Sequence, residues 1–154
     1  MGIPVIVDAG PAQQFPIERL AGVTIFSPNE TEAAALCGIV PDTLEHAKDA
    51  AKALQKRVNA PYIVLKLGSR GAFCLGPEGF LSLVPPKVAV VDPTAAGDAY
   101  TAAMTIRYFQ THDIRDAIVY GNLAGAYAVT RLGAMPSLPT KGQLELFQKS
   151  LRHM

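Results

Sequence analysis

The stretch DPTAAGDAY, residues 92–100, puts three small residues, Ala95, Ala96 and Gly97, directly before an aspartate at the start of a helix-like segment. Small residues leading into a helix let several backbone N–H groups converge, and the unpaired donors of the first helical turn add partial positive charge at the same point. A phosphate group can approach such a hollow closely because no bulky side chain obstructs it. Asp98, beside those donors, is then placed to take a proton from a hydroxyl attacking a bound phosphoryl group. An anion hole next to a base implies phosphoryl transfer. The same nine residues also admit a purely structural account, in which Thr94 caps the helix and Asp98 complements its dipole.

Two further stretches could serve the same chemistry. In NETE, residues 29–32, Asn29 and Glu32 have the N-cap and N3 spacing of a capping box, which requires no function. Their oxygens could equally lie near hydrated Mg²⁺ and nucleotide phosphates, since Mg²⁺ keeps most of its waters and is held through few protein oxygens. In KLGSRG, residues 66–71, Gly68 and Gly71 surround Ser69 and Arg70 at a strand end, offering close backbone approach and cationic side chains, or simply a turn. The patterns G-x-x-x-x-G-K-[ST] and strand-borne G-x-G-x-x-G are both missing from the sequence, which disfavours Walker-type and dinucleotide sites.

These stretches need elements to hold them. The apolar run 3–9, IPVIVDA, ends at Gly10-Pro11 and reads as a buried, central strand, because apolar residues on both faces imply burial on both. VTIFS (23–27) reads as a second strand and PNETEAAALCG as a helix stopped at Gly38. Asp42 or Thr43 starts another helix, with Leu44, Ala47, Ala51, Leu54 and Val58 at helical spacing. YIVLKLG (62–68) is a strand, AFCL and FLSLV form a hairpin around Gly76–Gly79, and VAVV (88–91) is a short strand. Helices follow over about 98–110 and 114–132, the second capped by Asp113 and stopped by Gly133, with a last helix from about 141. Strands alternating with helices predict an α/β sheet with helices on its faces. Met1 stands only two residues before a strand that looks central, so the sheet is expected to lack its first strands.

Composition narrows the function classes. With 154 residues, 49% of them hydrophobic and 18% charged, one compact globular domain is expected. Fourteen basic and 13 acidic residues leave a net charge of +1 with no basic stripe, which argues against nucleic acid and membrane surfaces as partners. Cys37 and Cys74 stand apart in apolar surroundings, and His46, His112 and His153 have no ligand spacing with them, so reduced core thiols are expected rather than a metal site. No signal-peptide pattern opens the chain and no apolar run approaches the roughly 18 residues of a membrane span, which suggests the cytoplasm.

Taken in order, SPNETEA, KLGSRGAF, DPTAAGDAY and AVTRLGAMPSLP resemble the ribokinase family of ATP-dependent carbohydrate kinases, with DAGPA before them most similar to the ribokinase branch. The resemblance covers residues 5–139 and corresponds to about the C-terminal half of such a kinase, without its glycine-rich sugar-binding motif and small β-lid. It implies a three-layer ribokinase-like sheet with helices on both faces, truncated at the N-terminal side, with residues 1–154 forming the nucleotide-binding and catalytic-base portion. On the family pattern Asp98 is the catalytic base, and Ala95, Ala96 and Gly97 are the anion hole. Asn29 and Glu32 match the motif associated with Mg²⁺ and phosphate; Lys66, Gly68, Ser69 and Gly71 match the loop near the nucleotide phosphates; and Asn122 falls where adenine is often contacted. Lys66 replaces the threonine usual in ribokinase.

A monovalent cation such as K⁺ is implied beside the anion hole, at Asp92, Thr94, Ala128, Arg131, Gly133 and Ser137, mostly through backbone carbonyls. Pro93 replaces the usual threonine there and stiffens the loop. The resemblance implies transfer of the ATP γ-phosphoryl group to a hydroxyl of ribose or a related sugar, the sugar being recognised by a missing N-terminal half. Self-association, or pairing with a complementary half, is expected of the exposed sheet edge. The alternatives are a non-catalytic remnant that binds nucleotide or a protein partner, and a stand-alone structural domain.

Overall fold

The computed structural model describes residues 3–20 and 22–152; Met1 and His153, used above, lie outside them. The chain forms two compact units, one ending at Leu83 and one beginning at Val84.

In the first unit a five-stranded mixed sheet runs in sequence order: β1 (Ile6–Asp8), β2 (Ile25–Ser27), β3 (Tyr62–Lys66), β4 (Ala72–Gly76) and β5 (Gly79–Leu83). The first three strands are parallel, with Asp8 opposite Ser27 and Ile25 opposite Tyr62, whereas β4 and β5 return antiparallel. Every residue of β2 is buried, as its unbroken Ile-Phe-Ser run between two neighbours requires. The expected strand over 3–9 is shorter and lies at a sheet edge. Ile3 and Val5 are exposed and only Ile6–Asp8 pair, because β1 has one strand neighbour rather than two.

Helices α1 (Glu30–Cys37) and α2 (Leu44–Val58) begin where the capping residues predict, at Asn29 and Thr43. The Thr43 hydroxyl accepts from the His46 amide at 3.1 Å. Ala47, Ala50, Ala51, Leu54 and Val58 form the buried face of α2 and share a core with Ile17, Phe26, Ile63, Leu65 and Phe73. Leu44, expected on that face, is instead exposed at the helix's first position. Cys74 is buried in β4, and desolvation pushes its thiol up to about 12, which keeps it a neutral core group. Cys37 is half-buried.

The second unit contains α3 (Ala96–Thr111), α4 (Ile114–Ala128) and α5 (Lys141–Leu151). Asp113 caps α4 by accepting from the amides of Arg115 and Asp116 at 2.8 and 3.1 Å. An ion pair from Arg107 to Asp116, 2.6 Å at its shorter contact, also joins α3 to α4. Thr140 and Gln143 form a capping box on α5, which packs through Leu144 and an edge-on Tyr127–Phe147 contact.

Three expectations are corrected here. Residues 88–91 form no strand: Val90 and Val91 are exposed, and the amides of Val91 and Asp92 both donate to the Val129 carbonyl, so the segment is tied to a helix end rather than a sheet. Helix α3 starts at Ala96, two residues early, because no residue there stops the helical turn. Helix α4 ends at Ala128, and Gly133, with φ of 85°, belongs to the turn beyond it rather than to its cap.

Gly121 and Gly125, four residues apart on α4, set how closely it approaches α3. A Cβ at Gly121 would stand 3.0 Å from the Tyr100 ring and 3.1 Å from the Tyr100 carbonyl; one at Gly125 would lie 3.4 Å from the Ala96 carbonyl. Gly121→Ala therefore forces backbone apart, which costs more than the gain in helix propensity of about 1 kcal/mol returns. Urea unfolding should show Gly121→Ala to be net destabilised by about 1–2 kcal/mol; equal or greater stability would mean that this close approach does not constrain the helix pair.

Candidate functional site

The residues singled out from the sequence divide between the two units. In the second, the start of α3 carries no side-chain cap. Thr94, the residue that would cap it on a structural account, is engaged elsewhere: its hydroxyl and its amide both donate to Asp92 Oδ1, the amide at 3.0 Å. Ala96 N donates back to the Pro93 carbonyl at 3.1 Å, closing a tight turn. Ala95 is buried beneath, Ala96 is half-buried, and Gly97 and Asp98 are exposed. No atom lies within 4 Å of where a Cβ on Gly97 would sit, so the surface above the first turn is open. An uncapped helix start with an exposed glycine and an exposed carboxylate can accept an anion and a proton at adjacent points. The capping role considered for Thr94 is thereby overturned.

Asp92 holds this end of the unit together. Its second oxygen, Oδ2, accepts from the Gly133 amide at 2.8 Å, so one carboxylate joins the loop before α3 to the turn after α4. The Thr94 hydroxyl above all, then the Gly133 and Thr94 amides, hold the Asp92 carboxyl below the usual carboxylate range. The other residues matched to a cation loop lie along the same turn. Ala128 accepts from the Arg131 amide at 3.1 Å, and buried Ser137 donates its hydroxyl to the Ala134 carbonyl at 2.7 Å. Arg131 folds its guanidinium back over the Tyr127 ring, 3.4 Å from the centroid, and donates to the Tyr127 carbonyl and the Thr130 hydroxyl. Asn122 is buried in α4, with 5% of its surface exposed.

In the first unit the capping box is formed: Asn29 Oδ1 accepts from Glu32 N at 2.9 Å, and Asn29 N donates to Glu32 Oε2 at 2.7 Å. Glu32 is buried, and its other oxygen would lie 3.2 Å from a Cβ on Gly10, so the glycine leaves space at that oxygen. Among the described residues no three His, Cys, Asp or Glu side chains gather as a metal cage.

The loop after β3 turns tightly through Gly68 and Gly71, both at positive φ, leaving Ser69 exposed. Arg70 is no free cation: it donates to Glu30 and to the carbonyls of Pro41 and Asp42, the last at 2.8 Å, and so clamps the loop to the start of α1. Lys66 Nζ forms an ion pair with Asp8 Oδ1 at 2.6 Å.

Asp8, Gly10, Ser27, Gly121 and Gly125 were not singled out by sequence. Asp8 falls one residue before the end of the expected strand 3–9 and Ser27 ends that over 23–27, and the carboxyl ends of parallel strands are where open α/β sheets bind ligands. The buried Ser27 hydroxyl has no hydrogen-bond partner, a cost of about 1–3 kcal/mol for such a group, and nothing in the sequence distinguishes it.

Comparison with known proteins bears on this geometry. The family model described as pfkB family carbohydrate kinase matches residues 1–141. Ribokinase of Arabidopsis thaliana is 33% identical over 154 residues, which is 97% of this chain and 40% of that protein. The structure of Arabidopsis thaliana ribokinase complexed with ribose and ATP superposes with a TM-score of 0.86 at 30% identity, covering 96% of this chain and 48% of that one. Phosphofructokinase-2 from Escherichia coli in complex with potassium superposes at 0.80 with 26% identity, covering 98% and 48%. The fold is thus ribokinase-like α/β, and the chain spans about half the length of the relatives it matches. No helix among the described residues is long and apolar enough to cross a membrane.

The Asp92 clamp has a measurable pH signature. Because its folded pKa is depressed, its stabilising contribution is complete above the unfolded carboxyl value of about 3.9 and is lost as pH falls through the lower folded value. The Thr94 and Gly133 amide resonances should hold steady from neutral pH down to about 5 and move together with a midpoint below about 3.9. Asp92→Asn should abolish the shared transition. Separate midpoints for the two amides would mean that one carboxylate does not join them.

Proposed function

The chain belongs to the pfkB family of carbohydrate kinases, and we propose that residues 1–154 form the nucleotide-binding and catalytic-base portion of an enzyme that phosphorylates ribose or a related sugar with ATP. One observation carries the reading: the cap position of α3 is Ala95, so its first turn has no side-chain cap, and an exposed Gly97 and Asp98 stand at that turn. An open first turn with no side-chain cap and no obstruction above Gly97 supports an anion site there.

In the proposed reaction the backbone at Ala95–Gly97 receives charge developing on the transferred phosphoryl group, through the amides of Ala95 and Gly97, the Ala96 amide being turned to the Pro93 carbonyl. Asp98 takes the proton of the acceptor hydroxyl as that oxygen bonds to the γ-phosphorus and the bond to ADP breaks. The loop through Gly68, Ser69 and Gly71 approaches the remaining phosphates by backbone, kept in place by the Arg70 clamp. Asn29 and Glu32 would hold hydrated Mg²⁺, and Asp92, Thr94, Ala128, Arg131, Gly133 and Ser137 a monovalent cation. These ions supply positive charge for the phosphates and order the anion loop. Asn122 is the candidate for adenine, reached from its buried position in α4. Relatives are about twice as long as this chain, and acceptor-sugar recognition is assigned to sequence of theirs that has no counterpart here.

Nucleotide binding and helix stability should separate at Gly97. Gly97→Ala adds a methyl group into open space and should raise stability by up to about 1 kcal/mol, while weakening Mg·ATP binding by about tenfold or more. Calorimetry and thermal melting on the 154-residue chain measure both. In any form that phosphorylates sugar, Asp98→Asn should lower kcat by about 10²–10⁴-fold with ATP affinity retained. Absence of nucleotide binding at millimolar concentration would favour a remnant that serves a protein partner instead.

A further inference from the structure

Lys66 ends β3 on one side of β2 and Asp8 ends β1 on the other, so their 2.6 Å ion pair passes over the middle strand. Ser27 lies beneath it. Asp8 and Ser27 are register partners in the parallel ladder, and such neighbours present their side chains to the same face. The Lys66 side chain is only 11% exposed and that of Asp8 34%, so the ammonium is held against the strand ends rather than extended into water. The Ser27 hydroxyl, fully buried in register with Asp8, has no partner while this pair is closed.

Three facts bear on what the pair does. Lys66 leads directly into the Gly68–Gly71 loop, so its ammonium is the cationic group of that strand end, the guanidinium of Arg70 being committed to Glu30 and two carbonyls. A compact ammonium on a flexible stem can change partner without backbone movement, and a phosphate oxygen is a strong competitor for it. A carboxylate that loses its cation is stabilised by a further donor, and the Ser27 O–H is available at the paired position.

We propose that Asp8 is an internal competitor for the nucleotide's phosphates: it keeps Lys66 in an ion pair across β2 that opens when a polyphosphate takes the ammonium and the Ser27 hydroxyl takes the carboxylate. The inference rests on the nucleotide reading above and adds to it a cost of entry built into the site. Asp8 is then a positioning residue, acting on the ligand through Lys66.

The proposal makes removal of an acidic residue improve binding, an effect that damage to the fold cannot mimic. Binding of metal-free ATP and of inorganic tripolyphosphate is measured by calorimetry in excess chelator, on the full chain, with melting curves for each variant. Asp8→Asn should tighten both ligands by about fivefold, the effect of freeing one partly exposed ion-pair partner, and Lys66→Met should weaken both by about as much. Ser27→Ala should also weaken both, because Asp8 loses its alternative donor. The Asp8→Asn, Lys66→Met double variant should bind like Lys66→Met alone. If the gain from Asp8→Asn persists without Lys66, the effect is general charge removal and the competition is refuted. It is equally refuted if the native chain binds ATP and Asp8→Asn binds no tighter. If no form binds ATP, with or without Mg²⁺, the nucleotide reading falls, and this proposal with it.

Discussion

The end of the second unit that carries Ala95–Asp98 depends on which hydrogen bonds one carboxylate accepts. Asp92 accepts from Thr94 through one oxygen and from Gly133 through the other, and both consequences matter. Joining the two turns fixes the loop before α3 against the turn after α4. The Thr94 hydroxyl is held at Asp92, and the first turn of α3, whose cap position is Ala95, has no side-chain cap. Pro93 supports the same arrangement: its φ is restricted, and its carbonyl receives the Ala96 amide. The close approach of α4 at Gly121 and Gly125 extends the constraint along the helix pair, since the Ala96 carbonyl and Tyr100 occupy the space that side chains there would need.

The first unit solves a different problem with the same economy of contacts. Its capping box is at once a structural device and a placement of Glu32: one oxygen is spent on the Asn29 amide, and the Gly10 backbone passes close to the other. The structural and functional accounts of NETE are therefore compatible rather than rival. Arg70 shows the opposite lesson. A cation inside a glycine loop invites a phosphate-binding role, yet its donors are committed to Glu30, Pro41 and Asp42, and what it provides is a fixed loop. That leaves Lys66, held by Asp8, as the charge at the end of β3.

Local rules succeeded where an interaction closes within one turn. Asn29 with Glu32, Thr43 with His46, Asp113 with Arg115 and Asp116, and the hairpin at Gly76–Gly79 are all legible because both partners stand within a few residues of each other. They failed where an apolar run was taken as proof of a strand. VAVV is apolar and β-branched but has no strand neighbour among the described residues, and the Val91 amide bonds to a helix end instead. Gly133 likewise looked like a helix stop, yet Asp92, far away in sequence, determines the turn in which it sits.

Residue order by itself determined the α/β alternation, the starts of α1, α2, α4 and α5 and the family resemblance, because caps, amphipathic periods and short motifs are properties of neighbouring residues. Tertiary structure alone decided which charges meet. Lys66 finds Asp8 across 58 residues, Asp92 finds Gly133 across 41, and Arg70 reaches Glu30 across 40. Each of these pairs forms only because strand register or helix packing brings distant backbone together, and a charged side chain carries no mark in the sequence of the partner it will meet. The same holds for the orphaned Ser27 hydroxyl and for the glycines of α4, whose meaning is the distance to another element.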